Sequence, residues 1–232
     1  MPELPTLPSG EAAAETVLRA AVEESRHRAK TDPNQGLPEL AAACAALGDR
    51  LREMGDTVQA EKFYCEALDI YKELSARKPA VWEPYTARIS GKLGLLLSGT
   101  ERVKAAEWFH RVAVDTWRKL AEREVRYAPD LAAACQDLAV FLSDTGRAEE
   151  TERYFRVALD TRRKLAEGNP ERYEPEVADT CFALAQYLFQ ERQEPAKGFF
   201  EEAYEIYRRY PRFAEDAERA KRVLDRFFTR TH

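Results

Sequence analysis

Residues 38–83 read PELAAACAALGDRLREMGDTVQAEKFYCEALDIYKELSARKPAVWE. The stretch holds two runs with apolar or small residues every three or four positions, the period of amphipathic α-helices. The first, helix A, opens at Pro38, where a missing N–H costs nothing, and reaches Gly55, a residue suited to a left-handed C-cap. Glu39 directly after the proline suits the positive end of the helix dipole. The second, helix B, carries Ala60, Phe63, Tyr64, Ala67, Ile70, Tyr71 and Leu74 on one face.

The same text returns along the chain. Pro38, Pro84, Pro129 and Pro175 are spaced 46, 45 and 46 apart. In the same phase come Cys44, Ser90, Cys135 and Cys181, then Leu47, Leu93, Leu138 and Leu184, then Gly48, Gly94, Ala139 and Ala185. Helix B is marked by Ala67, Ala113, Ala158 and Ala203. Four residue types held in register define four helical hairpins: repeats 38–83, 84–128, 129–174 and 175–210. Proline-marked connectors (Pro33 to Pro38, Pro79 to Pro84, Pro170 to Pro175) are expected to be loops, and Pro195 to sit in the turn of the fourth unit. Residues 11–30 match helix B alone and form a half repeat, residues 212–229 form a capping helix, and residues 1–10, with Pro2, Pro5 and Pro8, form a flexible segment. The expectation is one all-α helical-repeat domain over 11–232, about ten helices in antiparallel pairs.

Unit one, with Leu47-Gly48, Leu51, Gly55, Ala60, Tyr64 and Ala67, resembles the tetratricopeptide repeat. The match covers roughly residues 11 to 210. Two departures stand out: Cys44, Ser90, Cys135 and Cys181 replace the usual aromatic of helix A, and the period is longer than usual. Extended repeats of this kind are similar to those of kinesin light chains and of bacterial tandem-repeat proteins. The paired groove asparagines of light chains are not matched, since Asn34 and Asn169 both fall in connectors. The resemblance implies a right-handed superhelical solenoid, helix A lining its concave side, and binding of a peptide or protein rather than catalysis.

Composition agrees with long helices: Ala, Glu, Leu, Lys and Arg supply about half of the 232 residues. The net charge of −5 disfavours nucleic acid and anionic membrane. No apolar run approaches the ~18 residues of a membrane span. The four cysteines form no C-x-x-C, which speaks against a zinc ribbon or redox pair and for a reducing, cytoplasmic setting. Cys44, Cys135 and Cys181 share one repeat position that serine also fills, so they read as small core residues; Cys65 has no neighbour that would activate it. His110 falls where other units place Tyr64 or Phe155 and reads as packed; His27 lies near a helix end and His232 is last. Neither H-x3-H nor H-E-x-x-H is present, so no metal, cofactor or catalytic residue is expected, and the chain does not read as an enzyme.

Two surfaces remain. Basic residues recur on helix B (Arg26, Lys72, Arg118, Arg163, Arg208, with Lys119, Lys164 and Arg209), each of the first five three residues after an acid; this face reads as self-paired. Trp82, Tyr127 and Tyr173 read as plugs between helix B and the next helix A. The concave wall differs from unit to unit, and its candidate partner-binding residues are Asp49, Arg52, Arg88, Leu95, Gln136, Val140, Phe182 and Gln186, with Phe182 and Arg88 as exposed anchors. The alternative is a self-associating structural or regulatory protein without a groove ligand, a homodimer through the one-sided N-terminal half repeat.

Overall fold

The computed structural model describes residues 10–191 and 193–228. Among them are ten α-helices and no strand: α1 (Gly10–Thr31), α2 (Pro33–Glu53), α3 (Thr57–Arg77), α4 (Pro79–Ser98), α5 (Val103–Arg123), α6 (Ala128–Asp144), α7 (Ala148–Gly168), α8 (Pro170–Glu191), α9 (Gln193–Tyr207) and α10 (Ala214–Phe227). The chain divides into two compact units, Met1–Thr116 and Trp117–His232, the division falling within α5. In unit 1 each helix from α1 to α4 packs on the next, and in unit 2 each from α6 to α10 does the same. The helices α2, α4, α6 and α8 are the A helices; α3, α5, α7 and α9 are the B helices.

The repeat positions are the core. Cys44, Ser90, Cys135 and Cys181, the leucines three residues on, and Ala67, Ala113, Ala158 and Ala203 are all buried. An alanine at a helix crossing lets two backbones approach, and any larger side chain there must displace its neighbours. The small residue after each leucine has the same origin. A Cβ on Gly48 would stand 2.7 Å from the Tyr64 ring, and one on Gly94 2.9 Å from the His110 ring. Gly55 and Gly146, with φ of 81° and 74°, end α2 and α6 in the left-handed conformation that glycine takes without a steric cost.

The A helices begin earlier than their aligned prolines suggest. Pro33, Pro79 and Pro170 occupy the first helical position, so the segments to Pro38, Pro84 and Pro175 are helix, not loop. Asp32 caps α2 by accepting from the Asn34 and Gln35 amides, and Asn169 accepts from the Arg172 amide at the head of α8. The second proline of each pair removes one hydrogen bond within the helix and is accommodated there. The third A helix shows which proline is the start signal: Glu124 stands where the others have the first proline, a 3-10 turn (Val125–Tyr127) follows, and α6 begins only at Ala128. Pro195 lies in the first turn of α9 rather than in a loop, again where no N–H is needed. The capping segment is a 3-10 turn (Pro211–Phe213) followed by α10; residues 229–232, and residues 1–9 of the expected flexible segment, lie outside the described residues, while Gly10 begins α1.

Candidate interaction surface

In unit 1 the exposed faces of α2 and α4 bound a cleft of about 210 Å³. Ala42, Ala45 and Ala46 form one side, Tyr85 and Ile89 the other, and Tyr71, reaching in from α3, the floor. The aromatic residues are fixed by one another: Tyr71 stacks on Tyr85 at 5.1 Å and on the half-buried Trp82 at 6.0 Å, between helix B and the next helix A as expected of Trp82. At the rim Lys92 Nζ meets Asp49 Oδ2 at 2.5 Å, and the Tyr64 hydroxyl donates to Asp49 Oδ1 at 2.6 Å, so this carboxylate is already neutralised and oriented. Arg88 is exposed with its guanidinium 5.7 Å from the Tyr85 ring centroid, and Arg52 is exposed one turn beyond Asp49. No carboxylate lies within ion-pair distance of either arginine among the described residues. Leu95 presents its side chain to solvent, 50% exposed.

Unit 2 fills the corresponding place. Arg162 of α7 stands at the repeat position of Tyr71 and is only 7% exposed. Its Nη1 donates to Gln136 Oε1 of α6 and to Thr180 Oγ1 of α8, and the Thr180 hydroxyl donates to the Glu176 carbonyl at 2.8 Å. Arg162 Nε lies 3.4 Å from Glu176 Oε2, an ionic contact without hydrogen-bond geometry. Burial pulls the Arg162 pKa down, and Glu176, Asp179 and Asp137 offset it; burial pushes the Asp137 pKa up against the pull of Arg162. Asp179 is exposed and accepts from the Tyr207 hydroxyl at 2.6 Å. The A helices differ in charge: α2 and α4 hold four acids and four bases, α6 and α8 eight acids and one base.

Of the residues expected on this wall, Asp49, Arg88 and their neighbours line one cleft. Val140, at 44%, and Gln186 are exposed on α6 and α8. Gln136 is half-buried and committed to Arg162. Phe182 is not exposed: at 7% it packs edge-on against Phe200 at 5.3 Å, and Arg219 of α10 lies 4.7 Å from its ring centroid. Phe189 is likewise met by Phe227 and Phe228 at 4.9 and 5.8 Å. The last helix, brought in by a shortened connector, covers positions that solvent would otherwise reach.

The family model described as tetratricopeptide repeat matches residues 131–171, which span most of α6, the turn and α7. One repeat of the chain thus matches the tetratricopeptide model, within an all-helical fold. None of the curated proteins compared with it matches in sequence. Its fold is similar to the crystal structure of BtubC (BKLC) from P. vanneervenii, with a TM-score of 0.70 and 22% identity over 94% of this chain and 90% of that one. It is also similar to PilF of Pseudomonas aeruginosa, with a TM-score of 0.50 and 17% identity over 96% of both chains. At these identities the likeness concerns the fold.

Four residues that shape these walls lie outside the set inferred from spacing: Tyr71, Tyr85, Lys92 and Arg162. The signal for two of them is the position four residues after each helix-B alanine, which holds Tyr71, Trp117, Arg162 and Tyr207, all buried. A single arginine in an otherwise aromatic column marks the one repeat whose floor is polar. The basic face of the B helices departs from simple self-pairing. Arg26 meets Glu23 at 2.5 Å and Arg208 meets Glu205 at 3.2 Å within their helices. Arg26 also reaches Glu66 of α3, and Arg163 reaches Glu202 of α9, each at 2.6 Å, which ties neighbouring B helices together.

The cysteines expected in the core are there. Cys44, Cys135 and Cys181 are buried and unbridged, and Cys65 is half-buried and unbridged. Burial pushes the Cys44 thiol up to about 12 and the Cys181 thiol further, so neither supplies a thiolate near neutrality. His110 is buried against Gly94 with Nε2 3.0 Å from Ser98 Oγ, and burial pulls its pKa down to about 4.

Proposed function

We propose that the chain is an interaction module that holds a peptide or protein segment against the exposed faces of its A helices and catalyses no reaction. One observation carries the reading. The buried repeat positions barely change, whereas the A-helix position that holds Asp49, Leu95, Val140 and Gln186 differs in every unit, and Arg52 and Arg88 each stand in one unit alone. Variation on a constant scaffold is what recognition of an irregular ligand needs. The B-helix face is engaged in ion pairs within and between helices and offers less unmatched chemistry. No helix among the described residues is long and apolar enough to cross a membrane. Unbridged cysteines support a reducing, cytoplasmic setting.

The test is retention of partners on the immobilised full chain, repeated with Arg88→Ala plus Val140→Glu and with Lys119→Glu plus Lys164→Glu. The reading expects the first pair to lose a specific partner and the second to keep it; the reverse outcome moves the site to the B-helix face. A second reading, self-association through α1, draws on Val17, 68% exposed on that helix. Light scattering of the wild type against Val17→Glu separates the two: a dimer that the substitution dissolves supports it, and a monomer in both removes it.

A further inference from the structure

The groove reading names a wall but not what it takes. We infer that the cleft of unit 1 accepts one apolar side chain of an acidic peptide segment, an inference that rests on the groove reading. A space of about 210 Å³ is below the size of small-molecule pockets and suits a single side chain of leucine to phenylalanine size. The space exists because Ala42, Ala45 and Ala46 are small, and its floor, Tyr71, is locked by stacking rather than free to swing in and fill it. A rigid apolar slot of this kind favours an anchor that loses little by being ordered.

Charge at the rim selects what surrounds the anchor. Lys92 and Asp49 cancel each other, and the Tyr64 hydroxyl satisfies the same carboxylate. Arg88 and Arg52 are left exposed without a carboxylate partner among the described residues. A partner rich in Asp or Glu supplies the missing counter-charges, and a basic one meets uncancelled like charge. Unit 2 offers no equivalent: Arg162 occupies the floor position and is consumed by Gln136, Thr180 and Glu176, and the A helices beside it carry an excess of acid. The anchor therefore belongs to unit 1.

The experiment is selection of a displayed random-peptide library on the immobilised full chain, followed by fluorescence-anisotropy titration of the enriched peptides, labelled with fluorescein. The expected winners carry one Leu, Ile, Met or Phe flanked by Asp or Glu. Replacing that anchor by Ala weakens binding by roughly tenfold or more, as do Arg88→Glu, at an exposed position, and Ala45→Phe, which fills the slot; the fold of both variants is checked by thermal melting. Arg88→Lys keeps most of the affinity, and added salt weakens it. Winners that are basic, that lack an anchor, or that ignore both Arg88→Glu and Ala45→Phe overturn the inference. If such peptides are instead lost on Val140→Glu or Gln186→Arg, the groove reading stands without it. If they ignore all four substitutions, or if no peptide is enriched, both readings fall.

Discussion

Tyr71 and Arg162 hold the same position in two repeats and build opposite surfaces. In unit 1 the tyrosine lines a slot together with three alanines; in unit 2 the arginine reaches between α6 and α8 and ties them together. The flanking helices follow suit, balanced in charge around Tyr71 and strongly acidic around Arg162. The scaffold that carries both is the same: leucines, alanines and cysteine or serine at fixed phase, all buried. A repeat protein can thus change what a wall offers by one substitution beneath it, without touching the positions that fold it.

The largest effect is expected from breaking the polar floor. Arg162→Ala takes the guanidinium donor from Gln136 Oε1 and Thr180 Oγ1 and the counter-charge from the half-buried Asp137, so it should destabilise by roughly 2–4 kcal/mol. Arg162→Tyr, which imports the residue of unit 1, should cost less, because it returns apolar bulk to the place the guanidinium filled. Urea unfolding monitored by circular dichroism reads both. An unchanged midpoint for Arg162→Ala would mean that the guanidinium contributes no net stability and that the two floors differ in shape alone.

A second difference between the units is titratable. His110 in unit 1 occupies the position that Phe155 and Phe200 fill in unit 2. Its folded pKa lies near 4, below the ordinary 6.5, so the unfolded chain binds the proton more readily. Stability linked to this group is present above pH 6.5 and is lost as pH falls toward 4, on the order of 3 kcal/mol across that window. His110→Phe should flatten this part of the profile, and the informative quantity is wild type minus variant, since carboxylates titrate in both. Parallel profiles would show that His110 is hydrated in the folded protein.

What the units share is as testable as what separates them. Ala67→Leu and Ala158→Leu should each destabilise by ~1–3 kcal/mol, because both alanines are fully buried at the crossing of one helix on another. Similar losses are expected in the two units. A large loss in one and none in the other would mean that the repeat register does not carry the same packing through the chain.

These shared positions were legible in the sequence because burial repeats with the helices: a leucine or alanine in phase has the same neighbours in each unit. Other features were harder to read for definite reasons. A pair of prolines is compatible with a loop or with a helix that starts at the first of them, and only the third A helix, which lacks that first proline, shows the difference. Phe182 sits at a position that phase alone puts on the wall, but its exposure depends on α10, which follows a shortened connector and falls outside the repeat. Arg162 lies in a run with Arg163 and Lys164, where three basic residues suggest one solvated patch. Only the buried aromatic column through Tyr71, Trp117 and Tyr207 sets it apart. The sequence-derived wall therefore contains Asp49 and Arg88 but not the floor between them.

The smallest effect concerns the B-helix face, where the two units again agree. Arg26 with Glu66 in unit 1 and Arg163 with Glu202 in unit 2 use one register: an arginine five residues after the helix-B alanine meets a glutamate one residue before the next. At Lys72 that register finds Val112 instead of an acid, and Nζ lies 5.9 Å from the half-exposed Trp108 ring centroid. Both ion pairs are partly exposed, so water and salt screen them, and ordering two long side chains offsets much of the attraction. A double-mutant cycle on Arg163 and Glu202 should give a coupling of ~0.3–1 kcal/mol that shrinks in high salt, with a similar value for Arg26 and Glu66. Lys72→Ala should change stability by no more than ~0.5 kcal/mol, with little salt dependence. A coupling near zero for both ion pairs would leave the B helices joined by apolar contacts alone. Their arginines would then be as available to an acidic partner as Arg88, and the contrast between the two faces of the array would disappear.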